Sequence, residues 1–246
     1  MGSTVCRAVA AADGLELVAA VDPAGGGGDA AGGVGISSDL QALANAGAEV
    51  AVDFTVPGAA VANASWCAGK GIHMVIGTTG VDDEAVAELR RAYPDGGTLG
   101  CVVAPNFAIG AVLMMRFAEL AAPWFETAEI IELHHDAKVD APSGTAMQTA
   151  GRMAAASGEW GSDPTRVEVL PGARGGAGPA GIRIHSVRLR GLVAHQEVIL
   201  GSAGQTLTIR HDSIDRESFM PGVVLAVRQV PSRPGLTVGL DRLLGI

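Results

Sequence analysis

From Ser3 to Phe107, short apolar, β-branched runs alternate with alanine-rich stretches of helical period, the βαβ rhythm of a parallel sheet. Leu15 to Val21, Glu49 to Phe54, His73 to Ile76 and Leu99 to Val103 are nearly continuous in apolar residues, as strands buried on both faces must be, and are predicted as strands. Pro57 to Cys67 and Asp82 to Tyr93 predict crossover helices, and Ser3 to Ala12 predicts an amphipathic helix before the first strand candidate. Ala24 to Gly35 is dense in glycine and is expected to be a flexible connection.

After a strong helix predicted over Ala108 to Ala122, the apolar period shortens to two. Glu129 to His135, Ile182 to Leu189, His195 to Leu200 and Gln205 to Arg210 read as strands of an open mixed or antiparallel sheet. Ser143 to Ala155 predicts a helix with Pro142 immediately before it and Ser143 as N-cap. Leu170 to Gly181, rich in glycine and proline, is expected to be a loop, and Phe219 to Val230 a helix returning to the first domain. The pattern predicts an α/β chain: a parallel sheet with crossover helices, then an α+β region with an open mixed sheet.

Composition narrows the partners. With 26 acidic against 17 basic residues and no Lys/Arg run, the chain is not expected to bind nucleic acid or an anionic membrane. No apolar run approaches the ~18 residues of a membrane helix, because Arg116 and Glu119 interrupt the most hydrophobic stretch. Cys6, Cys67 and Cys101 are far apart and lack C-x-x-C spacing, so neither a disulfide framework nor a metal site is indicated and a reducing cytoplasm is expected.

Residues 132–146 read E-L-H-H-D-A-K-V-D-A-P-S-G-T-A, gathering two imidazoles, a lysine and a Ser-Gly-Thr helix start. Only Lys70 and Lys138 among the 17 basic residues are lysine. Lys138 therefore suggests chemistry that wants a compact ammonium able to lose its proton, which guanidinium cannot do. In a strand running to His135, His134 and His135 are expected to face opposite ways and to divide their roles. The Asp140-Ala141-Pro142 approach is expected to be extended, and Ser143-Gly144-Thr145 then opens a helix whose free N–H groups suit a carboxylate. Gly77-Thr78-Thr79-Gly80 and Ala104-Pro105-Asn106-Phe107 each follow a strand candidate, where open α/β sheets bind ligands, and Asp22 ends another, where a dinucleotide fold keeps an acid for ribose hydroxyls.

These motifs together resemble the 4-hydroxy-tetrahydrodipicolinate reductase (dihydrodipicolinate reductase) family of bacterial lysine and diaminopimelate biosynthesis. The resemblance is carried by D-F-T at Asp53, G-T-T-G at Gly77, A-P-N-F at Ala104, the long histidine motif from Glu132 and G-L-V-A-H-Q-E-V from Gly191, and it covers nearly the whole chain. It implies reduction of 4-hydroxy-tetrahydrodipicolinate to tetrahydrodipicolinate by NADH or NADPH in a homotetramer, with a small dicarboxylate as substrate. His134 is implied as general acid/base and Lys138 as proton donor and charge stabiliser. His135, Gly144 and Thr145 are implied in substrate binding, joined at the carboxylates by Ser143 and by Arg216 in D-S-I-D-R-E-S-F. Cofactor binding is implied for Gly2, Asp22, Gly77, Thr78, Thr79, Ala104, Pro105, Asn106 and Phe107.

The implied layout is a Rossmann-like dinucleotide-binding domain, built on a doubly wound parallel sheet, over residues 1–107 and 217–246, and a substrate and oligomerisation domain over residues 108–216. Ala137 stands where many relatives carry a third histidine. The family opens with a strand and a G-x-x-G-x-x-G loop, whereas Met1-Gly2 matches only the last glycine of that loop; about a dozen residues, a central strand among them, are expected to precede the chain in the full reading frame. Two other functions fit parts of the pattern. One is a different two-domain amino-acid dehydrogenase, such as an aspartate dehydrogenase, against which the His-His-x-x-Lys and Ser-Gly-Thr combination speaks. The other is an inactive paralogue that binds ligand or partner, suggested by the incomplete phosphate loop.

Overall fold

Val5 and Val9, one helical turn apart, are the buried positions of helix α1 (Gly2–Ala11), with which the chain begins in a computed structural model describing all 246 residues. Strand β1 (Ala20–Val21) follows, then β2 (Asp29–Ala31) and β3 (Val34–Ser37). The expected strand over Leu15 to Val21 is laddered only at Ala20 and Val21, because β3 offers only Ile36 and Ser37 as partners. The expected flexible connection from Ala24 to Gly35 is instead built: β2 and β3 form an antiparallel hairpin closed by Gly32-Gly33, both at positive φ, and Ile36 donates back to the Gly28 carbonyl. Two adjacent residues at positive φ are what a tight hairpin turn demands, so the glycines punctuate rather than loosen this segment.

Helix α2 (Gln41–Asn45) leads to the main parallel unit: β4 (Val50–Asp53), α3 (Pro57–Gly69), β5 (His73–Ile76), α4 (Asp83–Ala92) and β6 (Gly100–Val103). Pro57 opens α3 where its missing N–H costs nothing, and Asp82 caps α4 by accepting from Ala85 N–H at 2.9 Å. Met74, Ile76, Cys101 and Val103 face α3 and α4, burying Ala60, Ala64, Cys67, Leu89 and Tyr93 against them. Val75 and Val102 alternate to the other face and are equally buried, as in a sheet covered on both sides.

The second unit comprises α5 (Ile109–Ala121), β7 (Thr127–His134), α6 (Gly144–Ala156), β8 (Gly176–Ala177), β9 (Arg183–Arg188), β10 (Ala194–Ser202) and β11 (Gln205–Ser213). Its strand order is β11-β10-β7-β9-β8, with β7 and β9 parallel and the remaining pairs antiparallel, the mixed sheet that the period-two segments predict. Leu170 to Gly181 is not wholly loop, since β8 and a 3₁₀ turn at Pro179–Gly181 lie inside it.

The chain returns to the first unit with α7 (Met220–Gln229), β12 (Gly235–Val238) and α8 (Asp241–Leu244). Helix α7 packs on β5, and β12 extends the parallel sheet to the order β12-β6-β5-β4. The sequence pattern does not predict β12, whose four residues carry too little periodicity to separate from a turn. Chain contacts divide the molecule into Met1–Ile109 with Arg216–Ile246, and Gly110–Asp215. No helix is long and apolar enough to cross a membrane.

Candidate active site

Alternation along β7 puts Ile130, Glu132 and His134 on one face of the mixed sheet. Glu132 is fully buried, at 0% side-chain exposure, and His134 is 15% exposed at the strand's end. Arg188 lies opposite His134 in the parallel register of β9 and reaches Glu132 with both terminal nitrogens: Nη1 to Oε2 at 2.9 Å and Nη2 to Oε1 at 2.8 Å. Glu132 Oε2 also lies 2.5 Å from His134 Nδ1, and Oε1 accepts the Ser143 backbone N–H at 3.2 Å. Burial pushes the Glu132 carboxyl up, but hydrogen bonds from Arg188, Ser186 and His134 outweigh it and leave it below the usual carboxylate range. The His134 imidazole is also held below its ordinary value, first by burial and then by the Lys138 and Arg188 charges, against the pull of Glu132.

The strand stops at His134, so His135 lies outside it, and the expectation of two histidines on opposite faces of one strand does not hold. A turn through Asp136 and Ala137 takes over, where Lys138 N–H donates to the exposed His135 carbonyl at 3.2 Å and the sheet no longer dictates side-chain direction. The Lys138 ammonium is paired with the Asp140 carboxylate at 2.7 and 2.9 Å, which lowers the Asp140 pKa. Arg188 Nη2 also donates to the Asp140 carbonyl at 2.6 Å. The Ala141–Pro142 peptide is cis.

Ser143 is buried and acts as N-cap of α6, its hydroxyl accepting from Ala146 N–H at 3.2 Å. Gly144 and Thr145 form the first turn of this 13-residue helix, with Gly144 exposed and open space where a Cβ would stand. The helix start, with Lys138 a few residues upstream, is suited to an anion, since unsatisfied N–H groups and the dipole both favour negative charge there. His134, Lys138 and the Ser143 N–H are therefore linked through Glu132, Arg188 and Asp140 within the second unit, and Gly144 and Thr145 follow Ser143 in α6.

The other candidates sit in the first unit along the carboxyl edge of the parallel sheet. Asp53 ends β4 and is buried; its Oδ1 accepts from the Thr55 N–H and hydroxyl at 2.7 and 2.6 Å, and its Oδ2 from Asn63 at 2.8 Å. Thr78 reaches the same carboxylate at 3.5 Å, and Gly77 N–H donates to the Asp53 carbonyl at 2.8 Å. A Cβ on Gly77 would stand 2.1 Å from the Phe54 ring, so only glycine lets this loop lie on the aromatic side chain. Phe54 in turn packs against Phe107, ring centroids 5.8 Å apart. Ala104 N–H donates to the Ile76 carbonyl at 3.0 Å, and Asn106 Oδ1 accepts from Ala108 N–H at 2.9 Å. Thr79 and Pro105 are exposed at this edge. Asp22 follows β1, exposed, and accepts from Ala24 N–H at 2.9 Å. Gly2 is the first residue of α1 rather than part of a loop, because Thr4 and Val5 N–H already bond back to Met1. Arg216 belongs to this unit, exposed in a short 3₁₀ turn.

Sequence reasoning assigns no role to Glu132, Arg188, Asp53 or Phe54. Glu132 was within reach, since a glutamate two positions before His134 on a strand shares its face. Arg188 was not, because its nearness to Glu132 depends on pairing across 56 positions.

Residues 1–107 match the family described as "Dihydrodipicolinate reductase, N-terminus" and residues 110–244 its counterpart, "Dihydrodipicolinate reductase, C-terminus". A protein of Cutibacterium acnes named 4-hydroxy-tetrahydrodipicolinate reductase is 55% identical over 250 residues, covering 100% of this chain and 95% of its own. One of the same name from Nocardia farcinica is 53% identical with the same coverage. Among solved structures, a dipicolinate-bound dihydrodipicolinate reductase from a Paenisporosarcina species superposes with a TM-score of 0.87 at 41% identity, covering 98% of this chain and 94% of that one.

Proposed function

The chain belongs to the dihydrodipicolinate reductase family, and from that premise we propose that it reduces 4-hydroxy-tetrahydrodipicolinate to tetrahydrodipicolinate with NADH or NADPH, releasing water. The observation that carries this reading is the His134 network: an imidazole tethered at Nδ1 beside a cationic helix start, built from the family's own motif.

A dinucleotide fits the carboxyl edge of the parallel sheet, where Gly77 clears the way for its loop and Thr79 and Pro105 stand exposed. Bound there, the nicotinamide would supply the hydride. Gly77, Thr78 and Thr79 with Ala104, Pro105, Asn106 and Phe107 are the proposed contacts, Asp53 bracing their loop from below, and Gly2 and Asp22 are assigned to the phosphate and adenosine-ribose end. The two substrate carboxylates are assigned to the α6 start at Ser143, Gly144 and Thr145, with His135 completing the clamp.

His134 Nε2 is the proposed proton source for the carbon that gains electron density, with Lys138 as second donor and charge stabiliser. His134 favours its neutral form in the free protein. A dicarboxylate placed beside it would raise its proton affinity, so the ligand that needs the proton also recruits it. The proposed assembly is a cytoplasmic homotetramer joined through the mixed sheet, whose edge strand β11 leaves Thr206, Leu207 and Thr208 exposed.

The test is a steady-state assay of NADH and NADPH oxidation with 4-hydroxy-tetrahydrodipicolinate, alongside light scattering of the purified protein. Substrate-dependent oxidation and a mass of four chains support the proposal. A folded sample that consumes neither nucleotide would overturn it.

A further inference from the structure

Glu132 is an expensive residue to keep. A carboxylate with no exposed surface loses its hydration, and an ion pair inside a protein is often replaceable by apolar side chains at no loss of stability. Its acceptor sites are directed: Oε1 takes Arg188 and the Ser143 N–H, Oε2 takes Arg188 and the His134 ring, and Ser186 also bonds to the carboxylate. Arg188 extends the same connection to the Asp140 carbonyl, and the Asp140 carboxylate holds Lys138. His134, Lys138 and the Ser143 N–H are thus each at most two contacts from one buried pair.

We infer that Glu132, held by Arg188, is a positioning residue that fixes the His134 ring with its proton on Nδ1 and Nε2 outward, and that moors the α6 start from the same carboxylate. The inference rests on the assignment of His134 as proton donor. Its chemical basis is that an ionised carboxylate accepts hydrogen bonds and cannot donate. A proton must therefore occupy Nδ1, and the proton exchanged with a ligand must travel through Nε2. The charged groups around the ring are Glu132, Arg188 and Lys138.

The first test needs no variant and no turnover: nitrogen-15 NMR of the full-length protein, with the His134 signals identified by their loss in His134→Gln. The neutral ring is expected as the Nδ1–H tautomer, and an Nε2–H tautomer would overturn the inference. The second test is Glu132→Gln, whose carbonyl can keep the Ser143 N–H while its amide turns a donor toward Nδ1. In folded samples kcat is expected to fall about 100-fold or more with KM within about threefold, as when an orienting carboxylate beside a catalytic imidazole is neutralised. The alkaline limb of the kcat/KM profile, where a proton donor is lost, is expected to move to lower pH, because the Glu132 charge no longer holds the proton on His134.

Should the single variant fold poorly, Glu132→Gln combined with Arg188→Gln removes both buried charges and leaves neither unpaired. A folded variant with wild-type kcat and an unmoved alkaline limb would show that the pair only supports the fold. If the wild-type protein has no reductase activity, the proposed function fails by itself, and the tautomer measurement still decides the positioning role.

Discussion

Opposite faces of the mixed sheet carry two clusters of similar chemistry. On one, Glu132 joins His134 and Arg188; on the other, Glu129 joins His185 at 2.8 Å and Arg174 at 2.6 Å. The Glu132 and His134 side chains are 0% and 15% exposed, those of Glu129 and His185 36% and 26%. Each Glu129 oxygen has one such partner, while the Glu132 carboxylate takes both Arg188 nitrogens, His134, the Ser143 N–H and Ser186. Hydrogen bonds overcome burial to lower both carboxyls, yet only the inner cluster reaches a helix start and the lysine beside it. The same three residue types thus make a solvated ion pair on one face and a desolvated, directional device on the other. Depth and number of partners, rather than residue type, separate them.

Activity should break the comparison most sharply. His134→Ala and Lys138→Ala are each expected to lower turnover by about 10²- to 10⁴-fold, the range for a lost general acid or base. Lys138→Arg should not rescue, since it keeps charge and loses the compact donor. His185→Ala should leave kcat within about twofold, as expected of a residue with no part in proton transfer. Steady-state kinetics on folded samples check all four, and near-wild-type rates for His134→Ala would remove it from the mechanism.

Stability should separate the clusters next. Glu132→Ala leaves Arg188 without its buried partner and is expected to cost about 3–5 kcal/mol. Glu129→Ala opens a partly exposed pair and is expected to cost about 0–1 kcal/mol. Urea unfolding gives both numbers, and equal losses would mean that the difference in burial has no energetic consequence.

Acid should then sharpen the contrast. His134 and Glu132 both have folded pKa values below their unfolded ones, so the unfolded chain binds protons first as pH falls. Their stabilisation is complete above the unfolded values, about 6.5 for histidine and about 4.3 for glutamate, and is lost as pH descends through the folded ones. His211 and His73 have the same sign, so His134→Gln is needed to isolate the histidine share. Melting temperatures below about pH 6.5 should fall less steeply in His134→Gln than in wild type. An unchanged slope would place His134 in a more solvated setting.

The smallest effects concern the ligand. Pyridine-2,6-dicarboxylate, the dipicolinate bound in the Paenisporosarcina structure, is expected to compete with substrate and to raise thermal stability. Near neutral pH its binding should take up protons, seen by calorimetry as an enthalpy that depends on the buffer, and this uptake should disappear in His134→Gln. Thr145→Val should weaken its binding by about 1 kcal/mol, a hydroxyl donor's share. Equal affinity would put the carboxylate elsewhere.

Legibility in the sequence followed the length over which each signal repeats. His73–Ile76 was readable to the residue because an unbroken apolar run has one placement, and α6 because Ser143 and Pro142 mark its start. Glycine density over Ala24 to Gly35 predicts a loose connection, yet Gly32-Gly33 is itself a hairpin signal and the segment is ordered as β2 and β3. Alternation cannot say where a strand stops, so the sequence puts His135 inside β7 although the strand ends at His134, and β12 is a strand only through its pairing with β6.

By itself the sequence determined the α/β rhythm, the change of period after residue 108, the family and the identity of the groups that can hold or move a proton. Those properties follow from residue type and short-range spacing. Tertiary structure alone decided that Arg188 meets Glu132, that Glu132 is stripped of water, and that His134 is tethered through Nδ1. A hydrogen bond across 56 positions depends on strand register and on what covers the sheet, and neither is written in any local stretch of the chain.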